Sequence, residues 1–92
     1  MIQSFRSKGL RELFEEGDSK QINPQWKTKL RIRLTALDEA SEVEEMNVDG
    51  WKLHELSGDR KGTWAVKVTA NQRMTFEFED GHAYVVDLED YH

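Results

Sequence analysis

Asp90, Tyr91 and His92 put a carboxylate, a phenol and an imidazole side by side, three groups that can move protons or seat a nucleotide base. A strand-like run over 82–88, with alternating Tyr84, Val86 and Leu88, leads into them, so they are expected to be delivered from a pinned element rather than a loose tail. A second imidazole, His54, stands between Leu53 and Glu55, and a guanidinium, Arg73, follows an Asn71-Gln72 turn. Histidine serves as acid or base because its unperturbed pKa, about 6.5, lies close to neutral pH; arginine stays charged and grips oxyanions through two donors. Each group also has a plainer reading, His54 as an ordinary half-exposed histidine and Arg73 as a solvated cation at a strand start. The loop Ser57-Gly58-Asp59-Arg60-Lys61-Gly62 either cradles an anion through its amides and two cations or simply joins two strands. His82, beside Gly81, reads as structural. Three histidines without cysteine, none in HExxH spacing, give a metal site little support, and no G-x-S-x-G context supports a serine hydrolase.

The elements that must position these groups fall into two halves. Ile2 to Phe5 fits a short strand, and Ser7 fits an N-cap before Leu10, Leu13 and Phe14 at helical spacing, with Gly17 as the stop. Asn23-Pro24 opens a second helix whose apolar stripe is Trp26, Leu30, Leu34 and Leu37. Lys27 and Arg31 flank that stripe on one side and Lys29 and Arg33 on the other, all with their charges expected in water. Ser41 to Glu44 fits a capping box for one further turn. After Gly50 the period becomes two: Trp51 to Leu56, Trp64/Val66/Val68, Met74/Phe76/Phe78, and a last strand after a Glu79-Asp80-Gly81 turn. The expected fold is α+β in two layers, with an N-terminal strand and two to three helices packed on one face of an antiparallel sheet. Alternation then sends Lys52, His54, Lys67 and Arg73 to the open face. In the last strand a bulge or bend near Leu88 is needed to bring Asp90 and His92 round to join them.

With 37% hydrophobic and 34% charged residues, the 92 residues read as one domain, residues 1–92, with a single small core. No cysteine is present, which removes disulfides and thiolate sites and fits a reducing cytoplasm. No apolar run approaches membrane-spanning length, so no membrane partner is expected. The net charge of −5 argues mildly against nucleic acid, but it hides a gradient, basic over 6–33 and acidic over 38–55.

An ordered set of segments over nearly the whole chain resembles the HigB toxins of the RelE/ParE superfamily, the plasmid-maintenance killer proteins. The set comprises residues 1–17, Leu34 to Ala40, Gly50-Trp-Lys-Leu-His54, Gly62-Thr-Trp-Ala-Val66, Asn71-Gln-Arg-Met-Thr-Phe76 and Asp90-Tyr91-His92. The resemblance implies a RelE-like fold and a messenger-RNA endonuclease that cuts in the A site of the 30S ribosomal subunit, against rRNA. It also implies a HigA-like helix-turn-helix antitoxin, through which alone the protein would meet DNA. The implied chemistry uses no metal or cofactor: a base takes the ribose 2′-OH proton, the oxygen attacks the adjacent phosphate, and an acid protonates the leaving 5′-oxygen. It makes His54 and His92 the proton-transfer candidates and Arg73 the phosphate clamp. Asp90 orients an imidazole or takes a proton, Tyr91 stacks on a base or positions the nucleotide, and Arg60, Lys61 and Lys67 are further phosphate-binding candidates. Two departures stand out: Ser57 occupies a position where the family pattern leads one to expect lysine, and the chain is acidic. They favour the alternative, the same fold acting without catalysis, as a gyrase-type protein-binding toxin or a decayed toxin that only binds its antitoxin.

Overall fold

Ser7 ends the N-terminal segment because its Oγ accepts from the Leu10 amide at 3.1 Å, satisfying one of the donors a helix start leaves open. Helix α1 then runs Lys8–Glu16, and Gly17 stops it in the left-handed region at φ 87°, where a residue with a Cβ would be strained. This is a computed structural model, and it describes residues 1–90. Asn23 Oδ1 accepts from the Gln25 amide and starts a short 3₁₀ turn, Pro24–Trp26, that feeds helix α2, Lys27–Glu39. The expected helix start therefore holds as a tighter first turn, with proline where its missing N–H costs nothing. Leu30, Leu34 and Leu37 of α2 and Leu10 of α1 are fully buried, each such side chain contributing about 1.5–3 kcal/mol.

A second 3₁₀ turn, Val43–Met46, is capped one residue later than the sequence suggests. Glu45, not Glu44, accepts from the Ser41 and Glu42 amides, at 3.0 and 2.8 Å, because a 3₁₀ start brings the third residue after Glu42 back to the cap.

Four strands follow: β1 His54–Glu55, β2 Thr63–Lys67, β3 Gln72–Glu79 and β4 His82–Asp90, antiparallel and in the spatial order β1-β2-β3-β4. A two-residue Asp80-Gly81 turn joins β3 to β4, both residues at positive φ (51° and 79°), matching the twist of the paired strands. Strand β1 is much shorter than the alternation from Trp51 to Leu56 suggests, since Lys52 takes φ 52° and breaks the extended run. Val66, Met74, Phe76 and Val86 form the helix-side face and close the core against the leucines.

The N-terminal segment lies alongside β4 rather than on a face of the sheet. Ile2 and Phe5 bridge Ala83 and Val86 in parallel, and Asp38 Oδ1 of α2 accepts from the Ile2 amide at 2.9 Å. These bonds occupy the backbone edge of β4, which would otherwise be open to pairing. Among the described residues no helix is long and apolar enough to cross a membrane.

Candidate functional site

The sheet register sorts the outer, helix-free face into two rungs. One runs His54, Ala65, Thr75, Asp87 across all four strands; the next runs Lys67, Arg73, Glu89 across β2, β3 and β4. Ala65 and Thr75, 0% and 1% exposed, form a low floor between longer side chains. Two strand spacings and two residues put the His54 and Arg73 Cα atoms about 12 Å apart, within reach of one nucleotide for two long side chains. Three of the expected residues, His54, Lys67 and Arg73, therefore share a face.

His54 is half-buried and its Nδ1 lies 2.9 Å from the Lys52 carbonyl oxygen. A carbonyl only accepts, so Nδ1 carries the hydrogen and Nε2 is the nitrogen left to accept a proton. The loop that aims this ring is fixed from the core by Arg33. Far from being wet at the flank of α2, Arg33 is buried at 7% exposure, donates through Nε to the Lys67 carbonyl at 2.8 Å, and lies 4.6 Å from the Trp51 ring centroid. Burial lowers its pKa, yet a guanidinium stays charged and stacks well on an aromatic face. Lys67 N–H in turn donates to the Trp51 carbonyl at 2.7 Å, so α2, β2 and the segment leading to His54 form one block.

Asp90 does not join that face. Leu88 pairs with Met74 and Asp90 with Gln72, both on the helix-side parity, and the Gln72 side-chain amide donates to the Asp90 carboxylate. The expected bend near Leu88 is absent because the strand has already used its irregularity upstream. The register shifts by one residue at Val85 and Val86, opposite Phe76, with Val85 at φ 54° and its N–H held by Ser4 Oγ at 2.9 Å. That bulge turns Asp87 and Glu89 outward and Asp90 inward. Tyr91 and His92 lie outside the described residues.

Glu89, absent from the expected site residues, gathers partners from β3 and from the loop that carries Arg60 on the outer face. Its carboxylate takes both ends of the Arg60 fork at 2.7 and 2.5 Å, the Thr75 hydroxyl at 2.7 Å and Arg73 Nη2 at 3.4 Å. The Arg60 bond, first, and then Thr75 and Arg73, hold its pKa down to about 2, while Glu89 raises that of Arg60. The one sequence signal for Glu89 is its parity, and only a bulge at Val85 makes that parity outward.

The loop carrying Arg60 is a strand connection and not an anion cradle. Its 3₁₀ turn, Gly58–Arg60, spends the Arg60 and Lys61 amides on the Ser57 and Gly58 carbonyls, and the Gly62 amide on Glu55 Oε2 at 2.9 Å. Lys61 is exposed beside it. A cleft of about 180 Å³ next to Thr75 is lined by Asp59, Glu77, Asp87 and Glu89 together with Arg6 and Arg60, and Glu89 already holds Arg60 there. Further cations on the face that carries His54 are Lys67 and Arg73.

A family model described as a RelE-like toxin of the type II toxin–antitoxin system HigB matches residues 3–92. Among curated proteins, the chain is 47% identical over 92 residues to endoribonuclease HigB of Proteus vulgaris, covering all of both chains.

Proposed function

Since the chain belongs to the HigB family of RelE-like type II toxins and is an mRNA-cleaving endoribonuclease, we propose how its own residues cut RNA and where. His54 is the general base. Its Nδ1–H is occupied by the Lys52 carbonyl, which leaves Nε2 to take the proton from a ribose 2′-OH as the oxygen attacks the neighbouring phosphorus. Lys67 and Arg73 hold the charge that builds on the non-bridging oxygens, and His92 protonates the departing 5′-oxygen. Tyr91 stacks on a base to splay the target nucleotide, and Asp90, already tethered by Gln72, anchors the strand end that carries both. Lys61 adds backbone attraction at the rim. The sequence of steps uses protein side chains alone.

A type II toxin has an antitoxin partner. We take that partner to be a HigA-like helix-turn-helix protein, the substrate to be mRNA in the ribosomal A site, and the setting to be the cytoplasm, with DNA met only through the antitoxin. The observation that carries the mechanism is the rung geometry: one imidazole whose Nδ1 is tied to the Lys52 carbonyl, leaving Nε2 to accept, and two cations on the same sheet face. Mapping mRNA 5′ ends on translating ribosomes tests it. His54→Ala is expected to lower cleavage by about 10²–10⁴-fold, the usual worth of a positioned base, without unfolding the protein. Removal of His92 is expected to abolish cutting as well. Cleavage by His54→Ala at the wild-type rate excludes the assignment.

A further inference from the structure

We infer that Glu89 is an internal counterfeit of the RNA phosphate, a carboxylate seated on Arg60 and Arg73 that incoming RNA must displace; this rests on the nuclease reading above. An arginine fork meets a carboxylate and a phosphate in the same two-pronged geometry, so a seat that fits one fits the other. Here the carboxylate already accepts both Arg60 ends, a Thr75 hydroxyl and an Arg73 nitrogen. The low pKa of Glu89 keeps it anionic throughout the physiological range, so its charge never titrates away from the seat. A phosphate cannot share these donors, because two anions at contact distance repel. Arg60 is the accessible member, 44% exposed on a short connecting loop, whereas Arg73 is 16% exposed and belongs to a central strand. Displacement therefore proceeds by Arg60 leaving Glu89 for an RNA oxygen. Glu89 thereby sets how tightly, and with what salt dependence, this acidic toxin holds RNA.

Binding of a fully 2′-O-methylated RNA oligonucleotide, which cannot be cut, tests this independently of cleavage. Fluorescence anisotropy is read over a KCl series for wild type, Glu89→Gln, Arg60→Gln, the double variant, and the charge-matched control Glu44→Gln at an exposed position of the Val43–Met46 turn. Glu89→Gln is expected to bind about tenfold tighter at low salt, and its log K against log salt should steepen by about 0.7, one phosphate contact on a single strand. Adding Arg60→Gln should remove that gain, and Glu44→Gln should stay near wild type. A folded Glu89→Gln that binds no tighter than Glu44→Gln overturns the inference while leaving the nuclease reading intact. If wild type and every variant fail to bind RNA at low salt, the inference falls, while the nuclease reading stands or falls on the 5′-end mapping on ribosomes. In the wild-type protein the Glu89 carboxylate carbon is expected to shift on saturation with the oligonucleotide, and an unmoved signal overturns the inference even if Glu89→Gln does not fold.

Discussion

Glu89 also ties the site to acid stability. Its carboxyl is held at about 2 in the folded chain against an ordinary 4.5, chiefly by Arg60 and then by Thr75 and Arg73. A depressed pKa contributes stability that is complete above 4.5 and fades as pH falls through 2. The full shift corresponds to about 3 kcal/mol, and screening at the half-exposed Arg60 reduces this to about 1–2 kcal/mol. Glu89→Gln is therefore expected to be less stable than wild type at pH 7 by that amount, with the two urea curves converging as pH falls from 4.5 toward 2. A gap that stays constant over that window would show that the carboxylate's charge is not what stabilises the fold. Residues of this kind are the hardest to read in a sequence. His54, Lys67 and Arg73 were legible because each adjoins an apolar residue of an alternating strand, Leu53, Val66 and Met74 respectively, which fixes its face. Glu89 and Arg33 were not. The first depends on a register shift and the second on a cation finding an indole ring and a carbonyl across the core.

At the level of elements, the decisive one is the bulge in β4. Val85 adopts φ 54°, a region costly for a β-branched side chain, and Val85 and Val86 together face Phe76. The extra residue exchanges the two faces of the strand beyond it, so the site receives Glu89 and the helix side receives Asp90. Valine is a poor occupant of this conformation, and 39% of it is exposed, so it returns little burial. Asparagine tolerates the left-handed region better; Val85→Asn is expected to raise stability by about 1 kcal/mol, seen as a higher urea midpoint with an unchanged slope. A lower midpoint would mean that valine's packing outweighs its strain. The helices and three of the strands were legible from local signals: Ser7 and Gly17 around α1, Asn23-Pro24 before α2, and Asp80-Gly81 between β3 and β4. The bulge had no such marker, because neither Gly nor Asn stands at the turning residue. Strand β1 was overestimated for a related reason, since nothing about Lys52 announces a positive φ.

For the whole molecule, the question is how a chain of net charge −5 holds RNA. Long-range attraction is absent, so affinity must come from a few cations on one sheet face, and part of that set is neutralised internally by Glu89. One added cation near the site should therefore have a large relative effect. Ser57 is the natural position: it precedes the Gly58–Arg60 turn, is exposed, has extended backbone angles (φ −104°, ψ 175°) and makes no side-chain cap bond, so its replacement disturbs nothing. Ser57→Lys changes the net charge from −5 to −4 and is expected to steepen the salt dependence of RNA binding by about 0.7, corresponding to one more phosphate contact. The gain in affinity should be large at low salt and fade as salt rises, since each contact draws its strength from counterion release. Growth arrest at equal expression should deepen in parallel. The contrast with Glu89→Gln locates the effect: both substitutions raise net charge by one, but only Glu89→Gln gives up the acid-sensitive stability carried by its Arg60 pair. If Ser57→Lys leaves both the salt slope and toxicity at wild-type values, the RNA path does not pass this loop, and the phosphate seat must be sought wholly on the Lys67–Arg73 rung.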